Sequence, residues 1–215
     1  MPRHDPSEKT KSEILGTAAR LFQERGWANV NIEDVVKEVG VTRGAFYHYF
    51  KSREDLIVAV VDKLFFDNNP FDIVAKETGL SGLEKLRLCL KMNLNDNAEN
   101  VNIAHEMMKA MENPLIFKSE FLSQMNTVAP FIEKLLIEGN EDGSMSVQYP
   151  KETAQVLAVL PNQWLGASTF QMSQEELVQR FLFMEHLMER LGVPAVDDEI
   201  KELALKAYEK IKNSR

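Results

Sequence analysis

Gly40-Val41-Thr42 ends one helix and begins the next within three residues, and no other feature of the sequence constrains the fold so tightly. The helix before it is short. Asn31 followed by Asp34 is a start signal, because a short polar side chain at the cap accepts from the unpaired N–H groups of the first turn. Val35, Val36 and Val39 then give the segment one apolar side. Gly40 closes it, since a left-handed backbone carries no Cβ penalty at glycine. Thr42 caps a third helix running to about Tyr49. Upstream, Ile14, Leu15, Ala18, Ala19, Leu21 and Phe22 recur at helical spacing over Ser12 to Phe22. Thr10 with Glu13 has the form of a capping box at the start of that helix, and Gly26 supplies its stop. Ser52 with Asp55 opens a fourth helix, carried by Leu56, Ile57, Val60, Leu64 and Phe65 to Asn68-Asn69-Pro70.

Helical patterns continue over about 82–96, 99–112, 118–139, 151–170, 174–191 and 197–213, separated by turn signals such as Asn113-Pro114, Gly139 to Gly143 and Gly192-Val193-Pro194. Pro161 is expected to kink or interrupt its helix, having no N–H to give. Ser144 to Tyr149 is the one weak strand candidate and is too short to found a sheet. The fold class is therefore all-α.

Charge separates the chain into two parts. Its 215 residues carry a formal net charge of -8, yet residues 1–56 balance nine Lys/Arg against nine Asp/Glu, so the remainder carries the whole excess. No acid occurs from Val39 through Arg53, while Arg43, Lys51 and Arg53 do. An acid-free basic window in an acidic protein is where attraction to nucleic acid would reside. Other classes find little support. His4, His48, His105 and His186 form no HExxH or other metal spacing, and no glycine loop for phosphate appears. Cys89, the one cysteine, excludes an internal disulfide and reads as a buried helix residue. No enzyme activity, metal or cofactor is expected. The opening MPRHDPSEKTKSE lacks the apolar core of a signal peptide, no run approaches the ~20 apolar residues that span a bilayer, and a cytoplasmic protein without membrane contact is expected.

Two short helices joined at Gly40-Val41-Thr42 and packed on a longer first one make a helix-turn-helix, whose second helix enters the major groove with its first residues toward the bases. Those residues are Thr42, Arg43, Gly44 and Ala45. Arg43 can donate two bonds to guanine O6 and N7, and the small Gly44 and Ala45 let the backbone come close. By helical geometry Ala45, Phe46, Tyr49 and Phe50 share an inward side, while Arg43, Tyr47 and His48 face outward. Tyr47 and His48 would bond phosphates, with Lys51 and Arg53 adding charge at the following turn. This places a helix-turn-helix DNA-binding domain at residues 1–56, ordered from about residue 8, and a helical domain at 57–215.

Ala18-Ala19-Arg20-Leu21-Phe22, Gly26-Trp27, the Ile32 to Val39 helix, Gly40-Val41-Thr42 and Gly44 to Arg53 together resemble the DNA-binding domain of TetR-family transcriptional regulators. The resemblance implies base or groove contact near Arg43 and Gly44, and phosphate contact at Tyr47, at His48 or Tyr49, and at Arg53. Where many members place threonine or serine, this chain has Asn31 and Ile32. For residues 57–215 the resemblance implies a ligand-binding and dimerisation domain, paired with a second copy through the last two long helices. Leu157, Trp164, Phe181, Met184 and Met188 are the interface candidates. Phe181 to Met184 are consecutive and apolar, which suits burial on two sides. Met92, Met107, Met108, Met111, Met125, Phe131 and Trp164 are the pocket candidates, methionine being adaptable to many ligand shapes. The function expected is a ligand-responsive regulator, a repressor that binds a palindromic double-stranded operator as a homodimer and is released by a small-molecule effector that shifts the fourth helix, with a transcriptional activator of the same family, or a helical enzyme, as the alternatives.

Overall fold

The computed structural model describes residues 6–67, 70–99, 111, 113–165 and 173–213, and among these the regular elements are all helical. They are α1 (Pro6–Arg25), α2 (Ile32–Val39), α3 (Arg43–Tyr49), α4 (Arg53–Asp67), α5 (Pro70–Lys76), α6 (Gly82–Glu99), α7 (Pro114–Ser123), α8 (Ala129–Glu141), α9 (Pro150–Leu160), α10 (Gln174–Arg190) and α11 (Asp198–Asn213). A 3₁₀ turn covers Trp27–Asn29, and π-helical turns cover Gln124–Val128 and Pro161–Leu165. The chain divides into two compact units, Met1–Asn69 with Asn102–Ile116, and Pro70–Val101 with Phe117–Arg215. The boundary expected after residue 56 falls inside α4, because Leu56, Ile57 and Val60 are buried in the same core as α1 to α3.

In the first unit the local signals behave as their chemistry dictates. Asn31 and Asp34 complete a capping box, with the Asp34 N–H donating to Asn31 Oδ1 and the Asn31 N–H to Asp34 Oδ2, each at 2.9 Å. Gly40 is left-handed (φ 79°), and the N–H groups of Gly40 and Val41 both donate to the Val36 carbonyl, closing α2 with a Schellman-type turn. Ser52 Oγ accepts from the Asp55 N–H at 3.1 Å at the head of α4. One expectation fails. Thr10 and Glu13 lie inside α1, which starts at Pro6, a residue already fixed in φ for a first helical turn. Ile14, Ala18, Leu21 and Phe22 from α1 meet Val35, Phe46, Phe50, Leu56, Ile57 and Val60 in one core, with Phe22 stacked on Trp27 at 4.4 Å between ring centres.

The second unit has its own core of Val74, Leu86, Leu135, Leu136, Met145, Val147, Ala154, Leu157, Met188, Val193 and Ala195. The helix expected over 118–139 is interrupted. Pro130 has no N–H for a carbonyl four residues back, and one residue earlier the Ala129 N–H reaches five residues back to the Gln124 carbonyl. Pro161 likewise ends α9 and begins the second π turn, and the rest of the helix expected to 170 lies outside the described residues, as does most of that expected over 99–112. Ser144 to Tyr149 forms no strand. Its backbone is satisfied by the Asn140 amide, which exchanges two bonds with Val147 (2.7 and 2.9 Å), and by the Gly192 carbonyl, which accepts from the Ser146 N–H at 3.0 Å.

Two left-handed glycines should therefore respond differently to the same change. At Gly40 an added Cβ meets nothing within 4 Å, whereas at Gly192 (φ 82°) it would sit 1.9 Å from the Ser146 carbonyl oxygen. Gly40→Ala should cost only the left-handed penalty of roughly 1–2 kcal/mol. Gly192→Ala should cost clearly more, because the 144–149 segment must move, and urea unfolding midpoints check the order.

Candidate nucleic-acid interface

A seven-residue helix presents the candidate surface. Thr42 Oγ1 accepts from the Ala45 N–H at 3.1 Å and fixes the start of α3. Phe46 and Phe50 are fully buried, with Ala45 and Tyr49 half-buried beside them, so the inward side is the one expected. Thr42, Arg43, Gly44, Tyr47, His48 and Lys51 are exposed. The Lys51 ammonium donates to the Tyr47 carbonyl at 3.2 Å, which holds the cation at the end of the helix, where the dipole favours it. His48 lies edge-on to Tyr49 at 5.0 Å. Arg43 is ion-paired through Nη2 to Glu33 Oε1 on α2, a partner the sequence reading missed because nothing in the spacing of ten residues announces it. Gly44 is informative in another way. It is the second residue of α3, and the space where its Cβ would be holds only Thr42 Oγ1, at 3.9 Å. No packing within the unit requires a glycine there; close approach of another molecule would.

Arg53, half-buried, is engaged within its own unit. Its Nε donates to the Val30 carbonyl at 2.9 Å and its Nη2 to the Trp27 carbonyl. The guanidinium ties the head of α4 to the loop between α1 and α2, two of its five N–H donors going to these carbonyls. Arg20 of α1 plays a comparable part, bonding Glu24 at 2.9 Å and Glu38 of α2 at 2.6 Å. These two carboxylates raise its pKa further, Glu38 most strongly.

In the second unit the described pocket candidates lie on α6, α8 and the two π turns. Met92 and Phe131 pack on the main core, Phe131 stacked on Phe71 at 4.2 Å. Met125 is half-buried on the first π turn. Trp164, on the second, lies under the Arg180 guanidinium at 5.3 Å and edge-on to Phe183 at 5.5 Å. Met111 belongs to the first unit, packed with Val58 and Ile116, and Met107 and Met108 lie outside the described residues. The polar atoms that stand out were not anticipated. Gln124 is 3% exposed with Oε1 unpaired, and Gln163 Nε2 is buried and unpaired. Both sit on π turns, which recur at functional sites. Burial pushes the Cys89 thiol up to about 12, so it is no thiolate at neutral pH. An open depression lined by Glu84, Glu138, Glu141 and Asp142 has three of these four carboxylates engaged. Ser81 holds Glu84 below the usual carboxylate range, Ser144 and the Gly82 N–H hold Asp142 there, and Lys85 pairs with Glu138.

Comparison with known proteins agrees with both halves of this geometry. The family model for "Bacterial regulatory proteins, tetR family" matches residues 14–60, and that for "Tetracyclin repressor-like, C-terminal domain" matches residues 97–186. The chain belongs to the TetR family. Among relatives, the regulator TtgR of Pseudomonas putida is 35% identical over 60 residues, an alignment spanning 28% of this chain and 29% of TtgR. The repressor KstR2 of Rhodococcus jostii is 28% identical over 163 residues, 71% of this chain and 77% of that one. The solved structure of RolR in complex with resorcinol superposes with a TM-score of 0.62 at 22% identity, covering 92% of this chain and 94% of RolR, which shows the fold. TetR-family proteins are regulators rather than enzymes. Among the described residues of this TetR-family chain no helix is long and apolar enough to cross a membrane.

Three of the interface candidates need correction. Leu157, Met184 and Met188 are buried within their own chain and are not open to a partner. Phe181 and Trp164 are half-buried. The large apolar side chains that α9 and α10 leave exposed, among the described residues, are Val156, Leu182 and Phe183, the last at 53%. Sequence periodicity located the helices but not which apolar side was already taken. For Arg53 the expected outcome is likewise structural. Arg53→Ala should lower unfolding free energy by about 1–3 kcal/mol, the cost of two part-buried carbonyls losing donors. In DNA titrations across salt concentrations its slope should match the unmodified protein's.

Proposed function

We propose that this chain is a dimeric DNA-binding repressor which reads a palindromic operator with α3 and is released by a small molecule held in the second unit. The observation that carries the reading is the outer side of α3: Thr42, Arg43, Gly44, Tyr47, His48 and Lys51 exposed on a helix whose inner side is locked by Phe46 and Phe50. In this reading Arg43 contacts a guanine, Gly44 lets the helix approach, and Tyr47, His48 and Lys51 hold phosphates. Two such helices in a dimer would meet half-sites about one DNA turn, or a multiple, apart. Repression accords with the name of KstR2, and an effector with the resorcinol bound by RolR. Gln124 Oε1 and Gln163 Nε2 are the polar atoms best suited to greet such a ligand, because each is buried and unpaired and would recover the desolvation cost on binding. Release by effector and weakening of effector binding by DNA must then be equal in magnitude, because they are one coupling free energy.

The test is binding to the tightest duplex recovered by selection from randomised DNA. Arg43→Ala should lose discrimination at one or two positions per half-site, by roughly 1–3 kcal/mol; a uniform loss on all sequences would contradict base reading. For the dimer, Phe183→Glu should shift the sedimentation coefficient to that of a monomer and abolish the gain from a second half-site. An unchanged coefficient would move the interface elsewhere.

A further inference from the structure

Glu33 is hard to account for on a surface meant for DNA. It stands in the first turn of α2, its carboxylate directed at Arg43, with side-chain exposures of 55% and 65% for the pair. An exposed ion pair adds only about 0–1 kcal/mol to stability, and neither side chain enters the core. A carboxylate beside the reading residue would meanwhile repel every phosphate that approaches.

The geometry resolves this. A guanidinium carries five N–H donors in a fixed plane. Glu33 takes one, through Nη2, and enough remain for the two parallel bonds that guanine O6 and N7 accept. With one edge anchored to α2, the plane of Arg43 is set before DNA arrives, and less rotamer freedom is lost on binding. We propose that Glu33 is a positioning residue that sets sequence discrimination: it orients Arg43 toward a guanine edge, and its charge lowers affinity for DNA that offers no such edge. This rests on the reading of α3 as the base-contacting helix and adds a second residue, on the other helix of the motif, to what decides the operator.

The experiment measures fluorescence anisotropy with three duplexes: the tightest one from random-pool selection, its variant changed at the guanine where Arg43→Ala loses discrimination, and an unrelated sequence. Glu33→Ala should lose about three- to tenfold of the discrimination, a fraction of the full bidentate value, while binding the unrelated duplex more tightly. Glu33→Gln keeps an acceptor without the charge, so it should keep most of the discrimination and still gain on the unrelated duplex. In an Arg43→Ala background, Glu33→Ala should leave discrimination unchanged. If Glu33→Ala strengthens all three duplexes equally, or acts the same with and without Arg43, the carboxylate only repels and the proposal is overturned. If Arg43→Ala finds no such guanine, the base-reading assignment falls first and Glu33 with it. Both glutamate variants should melt like the unmodified protein, the pair being exposed.

Discussion

A seven-residue helix does not hold itself together in water; nucleation is costly and isolated helices shorter than about 12–15 residues are marginal. The helix α3 therefore exists because Phe46 and Phe50 are buried against α1, α2 and α4, each contributing roughly 1.5–3 kcal/mol by removing apolar surface from water. Everything offered on its outer side inherits its position from those two rings. The same economy explains Arg53. With the 3₁₀ turn at Trp27 and the strand-like residue Val30 leaving carbonyls unpaired, an arginine at the head of α4 satisfies both and joins the ends of the motif.

The division of labour within the acid-free window is thus physical rather than positional. Aromatic side chains alternate between anchor and surface because a helix turns 3.6 residues per cycle: Phe46 and Phe50 go inward, Tyr47 and His48 go outward. Cations divide by what lies within reach. Lys51 stays at the exposed end of α3, Arg53 is drawn to backbone carbonyls, and Arg43 meets Glu33. Glu33 lies outside the window in sequence and beside it in space, so the local absence of acid in the sequence does not carry over to the surface.

That contrast marks how far the sequence was legible. The helix starts at Asn31 and Thr42 and the stop at Gly40 depend on contacts within a few residues, and they appear in the structure as their chemistry requires. The split of α3 into inner and outer sides follows from periodicity alone. What was not legible depends on residues far apart in the chain. The carbonyls of Trp27 and Val30 that capture Arg53 are 26 and 23 residues away. The burial of Met184 and Met188 depends on elements that periodicity cannot pair. Only the second π turn was half visible, as Pro161 announced a disturbance without its form while the helix expected over 118–139 ran straight through Pro130, and the unpaired amides of Gln124 and Gln163 follow from neither composition nor spacing.

The central claim is that Arg43, carried on a helix anchored by Phe46 and Phe50, reads guanine in the major groove. Methylation interference tests it most directly, because a methyl on guanine N7 removes the acceptor that an arginine would use. The account predicts that methylating one guanine in each half-site blocks binding of the unmodified protein but no longer matters to the Arg43→Ala variant. Binding that tolerates methylation at every guanine of the operator would contradict it.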